Sequence, residues 1–259
     1  MEWFDTHAHL AYAELRTDLP KYLELASQAG VTRMIAVGTD LNSSRACLEL
    51  AESYPNVWAS VGIHPNESAK ADPGDWTEVC ELATHPRVVA LGETGLDLYW
   101  DDAPLAIQQD NFRRHLEHSL ATGLPVIIHS RDCDAEIVSA VREFASHAPL
   151  AGVMHSFTGA WETAAACLEL GLYISFAGMS TYKNAEAIRA VAAQVPADRI
   201  LVETDCPFLT PHPHRGQRPN HPALVVHTGR CLAAVRQVSE RLFAAETTVN
   251  ARRLFHRVA

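Results

Sequence analysis

Eight short apolar runs recur along the chain, spaced so that one helix fits between each pair, and this alternation limits the fold more than any other feature. The runs are residues 3–9, 33–39, 57–63, 88–92, 125–128, 152–154, 172–176 and 200–202. Most are continuously apolar rather than alternating, the pattern of strands covered on both faces in a parallel sheet wrapped by helices. Helical spacing predicts helices over 15–30, from Asn42 or Ser43 as cap to 54, and over 75–84, 104–122, 133–147, 161–170 and 184–195. Two more, at 221–236 and 239–256, finish the chain. Gly30, Gly123 and Gly171 are placed to stop helices, and Pro104 suits a first turn. Residues 207–222 form a loop rich in proline and histidine, without periodicity.

No linker or low-complexity stretch interrupts the alternation, so residues 1–259 read as a single domain. A chain of 259 residues, 47% of them hydrophobic, is the length of one α/β barrel. A doubly wound open sheet would also alternate, but no GxGxxG follows the first strand. A single (β/α)8 TIM barrel is the economical reading.

In such a barrel the C-terminal strand ends converge on one mouth, where barrel enzymes do their chemistry. The stretch Asp5-Thr6-His7-Ala8-His9 ends the first strand. Strict alternation would project Asp5, His7 and His9 from one face, two imidazoles and a carboxylate that suit Zn²⁺, Mn²⁺, Ni²⁺ or Fe²⁺. Glu93 ends the fourth strand, His129 the fifth, His155 the sixth, and Asp205 follows the eighth. A lone histidine at such a place is more often a satisfied polar residue than a ligand. Six donors on one rim are different, because burying them together without a cation costs several kcal/mol. His7, His9, Glu93, His129, His155 and Asp205 are therefore the expected metal ligands.

Lys plus Arg total 21 against 31 Asp plus Glu, a net charge of −10. That excludes a protein coating nucleic acid through a long basic surface, though not a small locally positive site. The six cysteines are scattered without a CxxC, and no signal-like or membrane-length apolar run is present. Reduced thiols in a cytoplasmic protein with no membrane partner are the expectation.

Motifs across the whole chain carry a resemblance. They are Asp5-Thr6-His7-Ala8-His9-Leu10, Gly62-Ile63-His64-Pro65, Gly92-Glu93-Thr94-Gly95-Leu96-Asp97, His129-Ser130-Arg131 and His155-Ser156-Phe157-Thr158-Gly159. Glu203-Thr204-Asp205 with Pro207, Arg215-Gly216 and Asn250-Ala251-Arg252-Arg253-Leu254-Phe255 complete the set. In this order they resemble the TatD family of metal-dependent hydrolases, within the amidohydrolase superfamily of barrels.

The resemblance implies two divalent ions (Mg, Mn or Zn), one held by His7, His9 and Asp205, the other by His129 and His155, with Glu93 bridging. Such a pair acidifies a shared water and stabilises charge on the attacked group, with Asp205 as proton acceptor. It further implies a deoxyribonuclease acting at 3′ ends of DNA, or alternatively an ester hydrolase such as a D-aminoacyl-tRNA deacylase. Either is cleavage at the end of a nucleic acid, which needs few phosphate contacts and is compatible with the net charge; a monomer suffices. A catalytically silent binding protein is disfavoured by the intact donor set.

Arg131, two residues after His129, is the expected phosphate contact, the competing reading being an ion pair with Asp132 or Asp134. His64 either hydrogen-bonds a substrate phosphate or fixes the turn at Pro65. Asp97 is read as a loop-fixing acceptor and Asp5 as an outer partner that orients a ligand imidazole. Arg215 and Arg218 could add charge at the mouth. His118, His212, His214 and His227 are assigned to helices or surface. The chain departs from the family pattern at 215–222, where one extra residue is present and His221 stands where an acid is usual.

Overall fold

A computed structural model describes residues 1–258. Eight parallel strands lie in chain order in one sheet: β1 (Trp3–Ala8), β2 (Val31–Val37), β3 (Val57–Val61), β4 (Val88–Asp97), β5 (Val126–Arg131), β6 (Gly152–Met154), β7 (Tyr173–Phe176) and β8 (Ile200–Val202). The ring closes from β8 to β1 near the C-terminal strand ends. There the Asp205 amide donates to the His7 carbonyl, the His9 amide to that of Cys206, and the Thr6 hydroxyl to that of Val202. The fold is a (β/α)8 TIM barrel.

Two apolar cores follow from the two faces of each strand. Met34, Ala36, Val57, Ala59, Val126 and Ile128 pack outward on helix residues such as Leu50, Phe112 and Ile137. Phe4, Ile35, Trp58, Val89, Ile127, Tyr173 and Leu201 fill the other side together with Leu254, Phe255 and Val258 from the end of the chain. Most of these strand residues, Phe4, Trp58, Val89, Ile127 and Tyr173, lie in the first halves of their strands, so the C-terminal segment stoppers the barrel at the end away from the mouth. Arg257 fastens it by donating to the carbonyls of Ala83, His85 and Val88. Burying a side chain the size of Phe255 contributes about 2–3 kcal/mol.

Outside lie α1 (Ala13–Arg16), α2 (Leu19–Gln28), α3 (Leu41–Ser53), α4 (Asp75–Leu82), α5 (Leu105–Thr122), α6 (Asp134–Ala145), α7 (Trp161–Glu169), α8 (Glu186–Gln194), α9 (Val225–Val235) and α10 (Glu240–Leu254). The helix expected over 15–30 is two, broken at Thr17-Asp18, because Pro20 is tolerated only in a first turn. The cap of α3 is Asp40, not Asn42 or Ser43. Its carboxylate accepts the Ser43 amide while the Ser43 hydroxyl accepts the Asp40 amide, a reciprocal box that satisfies two orphan donors. The predicted start at 221 is a short 3-10 turn, Pro222–Leu224, ahead of α9. Among the described residues no helix is long and apolar enough to cross a membrane.

The largest departure from expectation is at β4 and β5, which run on through Asp97 and Arg131 rather than stopping at 92 and 128. Thr94, Gly95, Leu96 and Asp97 pair with Ile128, His129, Ser130 and Arg131 after a register shift between Leu91 and Thr94. The glycines explain how this is possible. Gly92 and Gly95 have φ of +122° and +140°, and a Cβ on Gly95 would lie 2.0 Å from the His129 carbonyl oxygen. The strands approach closely on either side of a bulge, and the bulged residue is Glu93, whose amide leaves the ladder to bond the Gly38 carbonyl.

Candidate metal centre

Strand ends bring the six sequence-predicted donors together, and Glu93 is at their middle. Its two carboxylate oxygens face different neighbours. Oε2 lies 3.3 Å from His7 Nε2 and 3.6 Å from His9 Nε2. Oε1 lies 2.9 Å from His129 Nδ1 and 2.8 Å from His155 Nε2. Asp205 Oδ1 completes the first group at 3.3 Å from His9 Nε2 and 3.7 Å from His7 Nε2. Asp205 has φ of +54°, a left-handed conformation that aspartate tolerates better than most residues, just after β8.

The far nitrogens decide which ring atoms carry protons. His9 Nδ1 donates to the Val37 carbonyl, His129 Nε2 to Asp97 Oδ2 at 3.0 Å, and His155 Nδ1 to Glu203 Oε1 at 3.3 Å. When neutral, each therefore turns a lone pair to the centre. Partners of this kind set the tautomer and basicity of metal-binding imidazoles. His7 Nδ1 has no side-chain or backbone partner among the described residues, and its ring stacks on His155 at 4.1 Å.

His7 Nε2 and His9 Nε2 are only 3.3 Å apart, and His129 Nδ1 and His155 Nε2 only 3.2 Å. Two facing lone pairs at that distance repel unless a proton or cation lies between them. Two ligands about 2.05 Å from one tetrahedral ion would themselves stand about 3.3 Å apart. The donor set thus fits a cation within each imidazole pair, with one Glu93 oxygen for each.

Electrostatics agree. Burial alone would raise the Glu93 carboxyl, but His155, His64 and His7 together with the hydrogen bond from His129 hold it well below the ordinary carboxylate range. Asp205 is likewise lowered, burial being outweighed by His9 and His7. Burial works to lower His9, His129 and His155, yet their carboxylate neighbours win and all three are raised. In His7 burial and the nearby His155 prevail, and it is lowered.

His64 is adjacent but differently poised. Its Nε2 lies 3.5 Å from Glu93 Oε1, and it forms a third cluster of metal-ligand type with Glu93 and His129. Its Nδ1, however, accepts the backbone amide of Asn66 at 3.1 Å. A neutral imidazole that accepts at Nδ1 carries its proton on Nε2, so His64 points an N–H, not a lone pair, at the centre.

The remaining expectations divide. Asp97 does fix a loop, its Oδ1 accepting the amides of Tyr99 and Trp100, but it also grips His129 and the Asn66 side chain. Burial opposes its ionisation, yet the His129 bond and those amides take its carboxyl down to about 2. Asp5 does not share a face with His7 and His9. The register shift between Asp5 and Ala8 leaves its carboxylate on the amide and hydroxyl of Thr204, so it steadies the β1–β8 seam rather than an imidazole. Burial pushes that carboxyl up to about 8.

Arg131 lines the mouth with its guanidinium over the Tyr99 ring at 3.7 Å, paired with neither Asp132 nor Asp134 among the described residues. Arg215 lies over Tyr182, and neither it nor Arg218 lines the cavity. In the reshaped 215–222 loop His221 stacks on Tyr22, while buried Asn220 ties the loop to the carbonyls of Thr204 and Phe208. His118 packs on Trp76 beside α4, and His214 on His227.

Sequence reasoning quoted Glu203 in a motif but gave it no role. Its Oε1 accepts from His155 and from the Ser156 amide, and its Oε2 from the Ser175 hydroxyl. An acid two residues before an expected ligand was the available signal.

Comparison with known proteins gives this geometry a lineage. The family model of TatD related DNase matches residues 4–256. The chain belongs to the TatD family. Among curated TatD-type relatives it is 40% identical over 252 residues to the metal-dependent hydrolase YabD of Bacillus subtilis, covering 97% of this chain and 98% of that one. It is 34% identical over 256 residues to the 3′-5′ ssDNA/RNA exonuclease TatD of Edwardsiella piscicida, covering 97% and 98%. The crystal structure of YJJV, a TatD homologue from Escherichia coli, superposes with a TM-score of 0.91 at 31% identity over 98% of each chain. The protein is accordingly a TatD-family metal-dependent hydrolase acting on ester bonds.

Proposed function

We propose that the protein hydrolyses the terminal phosphodiester at 3′ ends of DNA with two divalent cations. His7, His9 and Asp205 would hold one and His129 and His155 the other, with Glu93 offering an oxygen to each. The observation that carries this reading is the division of Glu93, with one oxygen toward each imidazole pair. The nuclease names of the family model and of the Edwardsiella relative support the phosphodiester. An imidazole-rich donor set suits Zn²⁺ or Mn²⁺ better than Mg²⁺. Six free cysteines support a reducing compartment, the cytoplasm.

When bound, the cations supply Lewis acidity and bring the pKa of water towards neutrality. The chain supplies the rest. Asp205, ionised and partly open to the mouth, accepts the proton of the attacking water. His64 offers its Nε2–H to a phosphate oxygen where negative charge grows, and the free fork of Arg131 binds a phosphate bidentately. Asp97 and Glu203 keep the proton on the outer nitrogen of His129 and His155, leaving the inner one to accept a cation.

The test is metal-stripped protein reloaded with Mg²⁺, Mn²⁺ or Zn²⁺ and given 3′-labelled DNA beside a D-aminoacyl-tRNA. Labelled mononucleotide should be released only in the presence of metal. His64→Gln, which keeps a donor less well placed, should lower kcat by about 100-fold. Cleavage of the acyl ester alone would overturn the reading.

A further inference from the structure

The mouth above the metal centre is ringed by aromatic side chains that no core requires. Tyr99 and Trp100, 55% and 51% exposed, stand on the turn after β4, and Phe208, 44% exposed, on the loop after β8. In a ring of eight strands these two lie half a circuit apart. Trp100 and Phe208 therefore stand on opposite sides of one cavity of about 720 Å³, whose lining also includes Glu93, His129, His155 and Asp205.

Both sides are braced. Asp97 accepts the amides of Tyr99 and Trp100, the two rings meet edge to face at 4.8 Å, and the Arg131 guanidinium covers Tyr99. Phe208 is backed by Tyr12 and His9 at 6.0 and 6.1 Å, with its carbonyl held by Asn220. Pinned, solvent-facing rings are pre-organised to bind a flat partner.

Charge says which flat partner contact to expect. Among the described residues lining the cavity Arg131 is the only Lys or Arg, and Glu67 and Asp102 line it too. Away from the proposed cations and Arg131, a strand bound through its phosphates would meet mostly like charge. Aromatic faces hold bases without regard to sequence, each stack strengthening binding roughly tenfold or more. Bases inside a duplex are already stacked and have no free face to offer.

We propose that Trp100, supported by Tyr99 and Arg131, and Phe208 form a stacking site for unpaired nucleobases beside the scissile bond, so that single-stranded ends are selected by base contact. This rests on the phosphodiesterase reading above.

Two single-stranded DNA oligonucleotides, identical except for abasic residues at the two 3′-terminal positions of one, separate the two ideas. The metal-loaded protein should favour the base-bearing strand by about tenfold in kcat/KM. Trp100→Ala should bring that ratio towards one and Trp100→Phe should keep most of it. Equal cleavage of both strands by wild type and Trp100→Ala would overturn the stacking site and leave the hydrolase intact.

If neither strand is cut, the phosphodiesterase reading fails. The stacking site is then judged by anisotropy of a labelled strand on metal-free protein, where Trp100→Ala should weaken binding about tenfold. Tyr99→Leu serves in the same assays should Trp100→Ala not fold. Raising salt from about 50 to about 200 mM should weaken binding only about threefold for one engaged phosphate. A loss of several hundredfold would assign the affinity to phosphates and overturn the proposal.

Discussion

His115 and His155 are both buried histidines, and their rings are used in opposite ways. On α5, His115 spends both nitrogens on the scaffold, Nδ1 donating to the Asn111 carbonyl and Nε2 accepting the Ile63 amide. Burial takes its pKa down to about 4. His155 spends one nitrogen on Glu203 and turns the other to Glu93, and those two carboxylates raise it despite burial. Depth in the molecule therefore does not mark a functional histidine. What marks it is a ring nitrogen that the scaffold leaves uncommitted and turns to the Glu93 carboxylate, and by that measure His7, His9, His129 and His155 group together. His64 is the intermediate case, its inward nitrogen uncommitted but protonated.

The contrast breaks most readily at Glu93. Glu93→Ala should lower hydrolysis by more than about 100-fold, since even partners outside the donor set are worth 10- to 100-fold in such sites. A variant that kept its rate would end the distinction between the two kinds of histidine. The mirror experiment is His115→Leu. It should cost about 3 kcal/mol in urea unfolding, because the Ile63 amide is left buried without an acceptor, while kcat per folded molecule holds.

His115 also has a pH signature. The unfolded chain takes up a proton below about 6.5 whereas the folded one resists until about 4, so its contribution is full above 6.5 and fades as pH falls between those values. The loss reaches roughly 3 kcal/mol below pH 4. Wild type should show that slope and His115→Leu should lack it. The raised histidines at the mouth have the opposite sign in metal-free protein, their contribution being lost as pH rises through their folded values.

A smaller effect sharpens the role of the outer partners. Asp97→Asn should weaken metal binding by about 10- to 100-fold, read by competition with a chromogenic chelator. Unchanged affinity would reduce Asp97 to a loop fastener. Smallest of all, Arg215→Ala should alter kcat/KM by less than about twofold, because its side chain stays outside the cavity.

Much of the barrel was legible because each strand is a short apolar run, and its polar terminus follows without further reasoning. His129 and His155 could be placed that way. Three things could not. Beyond Gly92 the stretch Glu93-Thr94-Gly95 has the composition of a loop, and only pairing with β5 keeps it in the sheet. The partners of His129 and His155 come from other strands, so no spacing along the chain announces Asp97 or Glu203. Asp5 was misplaced because period-two reasoning assumes an unbroken ladder, and β1 slips register just where it meets β8.

Among the described residues, the stopper of Leu254, Phe255 and Val258 fills the far end of the barrel and leaves the mouth as the doorway to the centre. Ions, solvent and substrate arrive by it, and whatever is cut away must depart through the same opening. On the proposed chemistry, a severed nucleotide crosses the threshold that the shortened strand needs for its next advance. Clearance of debris and progress along the polymer are thereby in competition at every round.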